Sequence, residues 1–371
     1  MPTMSSRFSA RRDRFWKLLK DTGVDAFLVT NETNVSWLTG FTGDSSWLLL
    51  SAKKCLLVSD SRYETQIAEE CPGLEMFIRR TDQKIAQVSC DLVNSMKTKR
   101  LGIEGHVVTM ETREALASSL ASAELVPVSM RIENDLRSIK DADEIAETRL
   151  AVNIAGRGLD FIRATLRPDQ TERDVAYDLE HAMRKIGAEG VAFHPIIAAG
   201  DRAALPHYRP GDRKVGDYEM LLIDWGAQPP SRYKSDLTRT LVFGKPSAKF
   251  SKVYNTVLEA QKRAIALIRP GAKCGDVDTA ARGYIADKGY AKYFGHGLGH
   301  GIGLIIHEQP RFAPASETLL KPGMIVTVEP GIYLPGWGGV RIEDDVLVTK
   351  DGCEVLSAHV PKELDSAVFH W

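Results

Sequence analysis

Two stretches of this chain match each other at an offset of 102 residues: RPDQTERDVAYDLEHAMRKIG (167–187) and RPGAKCGDVDTAARGYIADKG (269–289). They share an opening Arg-Pro, an Asp-Val pair at 174–175 and 276–277, and a closing glycine at 187 and 289. Each reads as a capped helix ended by glycine. Downstream, LPHYRP (205–210) lines up with IIHEQP (305–310), which sets His207 opposite His307. Strand-then-acid units follow in both halves: MLLID with Asp224 and then Asp236, MIVTVE with Glu329 and then Glu343. The identities are few, but the order of helix, histidine and two acids recurs. Two similar halves facing each other would converge these side chains on one central cleft.

The acids of that repeat sit in apolar or glycine-rich sequence: Asp224 in LLIDWGA, Asp236 in KSDLTRT, Glu329 in VTVEPGIY and Glu343 in GVRIEDD, with His300 in GHGLGHGIG. Ionised acids are almost never fully buried unless they are paired or coordinate a metal. Four carboxylates and one imidazole call for cations. Two divalent ions balance four negative charges better than one. The oxygen-rich set suits manganese or a similarly hard first-row ion, with cobalt or zinc as alternatives, rather than a thiolate-type zinc site. A single Asp after an apolar strand is commonly a turn residue; it is the set, in this order, that resists that explanation.

Strand parity groups the same residues. In YKSDLTRTLVF, Asp236, Thr238 and Thr240 share one face and Leu237, Arg239 and Leu241 the other. In VRIEDD, Arg341, Glu343 and Asp345 share a face. A turn at Gln228-Pro229-Pro230-Ser231 would fold Asp224 and Asp236 together. GHGLGHGIG alternates from Gly295 to Gly303, so an extended segment would put His296, Leu298, His300 and Ile302 on one face and glycines on the other. Glycine is a poor helix former, and glycines in a strand permit close approach of another backbone or a ligand. No window completes GxGxxG, and His307-Glu308 lacks the second histidine of HExxH. His181 and His194 receive no role.

Residues 1–135 alternate short apolar runs (26–30, 47–51, 55–60, 76–80, 101–105, 125–129) with helix-like segments such as 62–70 and 109–120. That is an α/β pattern with a mixed sheet. The chain turns polar around 131–143, and a long helix with Ile145, Val152, Ala155, Leu159, Ile162 and Leu166 on one face should follow. The boundary is placed near 135, giving domains 1–135 and 136–371.

Composition narrows the classes. Hydrophobic content of 43%, charged content of 26% and a formal net charge of -1 describe an ordinary globular chain and argue against nucleic acid or an anionic membrane as partner. No apolar run approaches a membrane span. The start lacks the apolar core of a secretory signal. Five scattered cysteines (Cys55, Cys71, Cys90, Cys274, Cys353) never form CxxC, which fits a reducing compartment. The expected location is cytoplasmic.

Residues 140–350 resemble the metal-dependent "pita-bread" peptidases, which include methionine aminopeptidase, aminopeptidase P and prolidase. The carriers are ALPHYRPGD, DWGA, SDLTRT, HGLGHGIGLIIHE, EPGIY and GGVRIED, in that order. Residues 1–135 resemble the amino-terminal domain of the creatinase and prolidase branch, in NVSWLTGFTG (34–43) and VSDSRY (58–63). The resemblance implies an α+β fold, a pita-bread domain of two pseudo-symmetric halves preceded by a smaller α/β domain. It implies Asp224, Asp236, His300, Glu329 and Glu343 as metal ligands, with Asp236 and Glu343 bridging. Glu329 would also shuttle a proton, His207 and His307 would face the scissile carbonyl, and His296 and Arg341 would line the pocket for the residue after the scissile bond. It implies hydrolysis of X-Pro bonds in proline-containing dipeptides or short peptides, with a prolidase slightly preferred to an aminopeptidase P, and a homodimer. The rivals are a binding protein on the same fold and a creatinase-like hydrolase of a small non-peptide substrate. One departure stands out: Asp224 and Asp236 are twelve residues apart, where the family's hairpin usually gives eleven. An extra residue inside a strand would turn Asp236 to the wrong face.

Overall fold

A computed structural model describes residues 4–371 and divides into two compact units, one ending at Leu136 and the other spanning Arg137–Trp371.

In the first unit the six apolar runs form one six-stranded sheet: Ala26–Val29, Trp47–Ser51, Cys55–Asp60, Glu75–Arg79, Arg100–Glu104 and Glu124–Val128. Ala26–Val29 lies in the middle, antiparallel to Trp47–Ser51 and parallel to Arg100–Glu104. The parallel pairings are reached through helices Glu64–Glu70, Ile85–Ser95 and Met110–Ser119, so the sheet is mixed and helix-covered. Leu28, Leu49, Leu101 and Ile103 fill its core.

The second unit opens with the long helix Ala142–Thr165, started by a capping box between Asp141 and Glu144. It then runs through two similar halves. In the first, helix Glu172–Ile186 precedes a sheet in which Met220–Trp225 lies between Ile196–Ala199 and Leu237–Phe243, all antiparallel. In the second, helix Cys274–Asp287 precedes a sheet in which Ile325–Val328 lies between Gly299–Gly301 and Asp344–Val348, again antiparallel. The repeat noted in the sequence is thus a repeat of helix, inner strand and acid-bearing strand. Thr171 caps the first helix with Asp174, and Gly187, at φ 116°, ends it. No helix among the described residues is long and apolar enough to cross a membrane.

The glycine-rich segment departs from the expected alternation. Only Gly299–Gly301 pairs as a strand, and its register shifts between His300 and Gly301. Leu298 and Ile302 are buried in two separate apolar clusters, while Gly297 and Gly299 join His296 and His300 along a cavity. The bulge rotates the chain there, so a simple two-residue period does not run through it. The glycines do serve close packing: a Cβ on Gly299 would lie 2.1 Å from the Thr327 carbonyl oxygen, and one on Gly301 2.0 Å from that of Gln309.

Candidate functional site

Thr238 gathers three of the four acids. It pairs across the ladder with Asp224 and forms a bridge with Glu343 of the second half, while Asp236 precedes it by two residues on the same face. Its hydroxyl donates to Glu343 Oε2 at 2.7 Å, and its carbonyl accepts the Glu343 N–H at 3.1 Å. The extra residue between Asp224 and Asp236 does not disturb this. Leu237 stays opposite Trp225, and Ser235 N–H still reaches the Ala227 carbonyl, so the register is kept to the loop. The loop itself is closed by an Arg232 N–H bond to the Pro229 carbonyl, with Arg232 at φ 69°.

A cavity of about 680 Å³ opens over these residues. Its walls carry Asp224, Asp236, His300, Glu329 and Glu343, and also His207, His296, His307 and Arg341. The structure therefore brings every singled-out side chain into one place. Asp236, His300 and Glu343 each offer a ligand atom within 4.8 Å of the others. His194 lines the cavity too, although the sequence offered no reason to choose it.

The electrostatics are those of a site short of positive charge. His300 Nδ1 can only donate to the Gly301 carbonyl, 3.0 Å away, which leaves Nε2 as a lone pair. Burial holds this imidazole neutral, with its pKa pulled down to about 3. Yet Nε2 faces Asp236 at 3.6 Å and Glu329 at 3.5 Å, beyond hydrogen-bond reach. Asp224 Oδ1 is buried with no hydrogen-bond partner among the described residues. Burial, reinforced by the neighbouring carboxylates, pushes Asp236 and Glu343 well above the usual range. Burial also raises Glu329 to about 8, with Arg341 opposing. Acceptors facing acceptors across a gap fit divalent cations, which satisfy lone pairs that no donor in the chain reaches.

One guanidinium is engaged at the wall. Arg341 donates to Asp224 Oδ2 at 2.6 Å, to Thr238 Oγ1 at 3.0 Å and to Tyr333 Oη at 2.9 Å. Tyr333 Oη lies 2.8 Å from His296 Nε2, whose ring donates from Nδ1 to the Gly297 carbonyl. Burial, then Arg341, lowers the His296 pKa to about 4, so this chain of bonds holds a neutral ring as acceptor. The His300 and His307 rings meet edge to face, centroids 4.4 Å apart.

Sequence reasoning missed four residues here. Tyr333 follows Glu329 by four residues in EPGIY, and only tertiary folding turns its hydroxyl to His296. Arg311 lines the cavity with no acid in ion-pair range among the described residues. Asp345 accepts the Asp236 N–H at 3.0 Å; parity put it on the right face but gave it no partner. Thr327 donates no chemistry yet fixes His300 by accepting its N–H at 3.0 Å.

The comparisons with known proteins agree with this architecture. The sequence model of metallopeptidase family M24 matches residues 146–350, and that of the creatinase/prolidase N-terminal domain matches 11–139. An uncharacterized peptidase of Bacillus subtilis, YqhT, is 38% identical over 352 residues, covering 95% of this chain and 98% of its own. An Xaa-Pro dipeptidase from Bacillus anthracis superposes with a TM-score of 0.92 at 38% identity, over 98% of this chain and 100% of that one. An X-Pro aminopeptidase from Thermotoga maritima does so with 0.87 at 35% identity, over 97% and 100%. With its pita-bread halves, its convergent acids and its full-length relatives, this chain belongs to metallopeptidase family M24 and carries a creatinase/prolidase-type N-terminal domain.

Proposed function

We propose that this chain hydrolyses X-Pro bonds as a dinuclear metallopeptidase, with dipeptides as the preferred substrates. The observation that carries the reading is the convergence of Asp236, His300 and Glu343 within 4.8 Å, beside Asp224 and Glu329, with no Lys or Arg among the described residues in ion-pair contact with Asp236 or Glu343. In this reading Asp224, Asp236, His300, Glu329 and Glu343 hold two divalent ions, manganese for preference because the donors are mostly hard oxygens. When bound, the ions would supply a lowered pKa for a water and polarisation of the scissile carbonyl.

The remaining work falls to the chain. Glu329, at the cavity wall with its side chain 18% exposed, would pass a proton to the leaving nitrogen. His207 and His307 line the same cavity, where ring N–H groups can meet the oxyanion that develops on the carbonyl. Arg341 orients Asp224, and with Tyr333 it keeps His296 as a fixed wall for the residue after the scissile bond.

An X-Pro amide has no N–H and a fixed φ, so an enzyme that grips an extended backbone serves it poorly, and a shaped pocket serves it well. Arg311 favours the dipeptide: its guanidinium is free to take a carboxylate that lies one residue past the cut. A homodimer in the cytoplasm completes the proposal; the five cysteines, all free thiols, suit that compartment.

The test is hydrolysis of Ala-Pro and Ala-Pro-Ala by metal-stripped protein, with and without manganese. Manganese-dependent cleavage of the dipeptide is expected. Cleavage of the tripeptide alone would make the chain an aminopeptidase P, and cleavage of neither by metal-loaded protein would remove the X-Pro reading.

A further inference from the structure

His207 sits on an irregular segment between the short helix Gly200–Ala204 and the strand Met220–Trp225, where no sheet ladder fixes the backbone. Beside an Arg213–Asp201 pair across the segment, a carboxylate that the reaction does not use ties it down. Glu172, in the first turn of helix Glu172–Ile186, is fully buried. Its Oε2 accepts two bonds of 2.9 Å, from the Tyr208 hydroxyl and the Gly211 N–H, both just after His207. Its Oε1 accepts the Ala199 N–H at 2.8 Å, at the end of the strand that leads into the segment. One side chain therefore clamps both ends of the loop that presents the histidine. Backbone bonds at the same helix start, from the Glu172 N–H to the Arg213 carbonyl and from the Arg173 N–H to the Gly211 carbonyl, hold the loop base independently.

We propose that Glu172 is a positioning residue that sets His207 at the reacting carbonyl; this rests on the role given to His207 under Proposed function. All three donors reaching Glu172 are neutral, so only a full carboxylate offers acceptors on both sides. In Glu172→Gln, one of the two oxygens becomes an NH2 group. Either the Ala199 N–H or the Gly211 N–H then faces another donor. The base of the loop stays bonded, and its tip loosens.

The test is a double-mutant cycle on manganese-loaded protein with Ala-Pro as substrate, combining Glu172→Gln with His207→Ala. A displacement of about 1 Å can cost on the order of 100-fold. We expect Glu172→Gln to lower kcat by about 10- to 100-fold with KM and bound manganese nearly unchanged. In the His207→Ala background the same change should cost less than about 3-fold, because the group it positions is gone. Tyr208→Phe, which keeps the ring and removes one donor, should repeat the pattern on a smaller scale and carries the test if Glu172→Gln does not fold. An equal loss with and without His207, or a loss of bound manganese, would make Glu172 merely structural and overturn the inference, while the His207 reading stands. If His207→Ala alone leaves kcat intact, both fall together.

Discussion

Glu343 and Asp344 are chain neighbours, both buried, and they sit in opposite electrostatic worlds. Asp344 turns to the back of the sheet, where Arg239 donates to its Oδ1 at 2.8 Å and Lys362 and Ser357 complete the shell. Burial alone would raise its pKa, but Arg239 and Lys362 outweigh that and hold it at about 2. Glu343 turns its side chain to the cavity, where burial and Glu329 drive the carboxyl well above the usual range, and no Lys or Arg among the described residues bonds to that carboxyl. The chain matches Asp344 with two cations on one face, while on the other its one engaged guanidinium, Arg341, bonds Asp224 and leaves Asp236, Glu329 and Glu343 to be completed from outside. A buried carboxylate is evidence for a metal only when the fold has not already neutralised it.

The largest expected effect breaks the cavity side of that contrast. Asp236→Ala should lose at least about 100-fold in metal affinity, given that partners of metal ligands alone are worth about 10- to 100-fold. Hydrolysis should fall with it. Calorimetric titration with manganese and the Ala-Pro assay check this together, and activity without bound metal would favour a creatinase-like mechanism. Next comes stability, where the two faces should respond with opposite sign. Asp344→Asn leaves Arg239 and Lys362 buried without their counter-charge and should destabilise the fold by about 3–5 kcal/mol, with or without metal. Asp236→Asn removes a carboxyl whose ionisation burial and its acidic neighbours disfavour, so metal-free protein should melt at the same temperature or higher. Equal destabilisation by both substitutions would erase the distinction.

The smallest effect is in the pH dependence. Glu329 has a folded pKa of about 8 against an ordinary value of 4.5, so the folded state holds its proton more tightly than the unfolded one. The stability this contributes is full below about 4.5 and is lost as pH rises to about 8. Asp344 runs the other way: its contribution is present above 3.8 and disappears only as pH falls towards 2. Metal-free protein should therefore lose stability between pH 4.5 and 8. Manganese should flatten that slope, because the ion replaces the proton. Thermal melts across the range, with and without metal, measure it.

Much of this was legible in the chain, and for physical reasons. All six strands of the first unit lie within a residue of the apolar runs that announced them, because runs between turn residues bury on a sheet. The acids could be grouped because strand parity is strict, and the Asp224–Asp236 hairpin kept that parity by taking its extra residue into the loop. Periodicity failed where the backbone did. The bulge at His300 sent Leu298 and Ile302 into different clusters. Tyr333 and Glu172 were silent for another reason: their partners lie on other elements, and no local spacing encodes such a meeting.

Arg239 has one more consequence, for the order in which the molecule can be made. Its guanidinium bonds to the carbonyl of Glu343, the carboxylate of Asp344 and the carbonyls of Val360 and Pro361, which lie 104 to 122 residues further on. During synthesis, the strand bearing Asp236 and Arg239 emerges long before its counterpart exists. The pocket cannot close until the residues from Glu329 to Pro361 have left the ribosome. A growing chain thus carries half a binding site, with Asp224 and Asp236 but neither Glu329 nor Glu343. A complete ligand set therefore exists only once both halves have been made, and the first half alone cannot supply it.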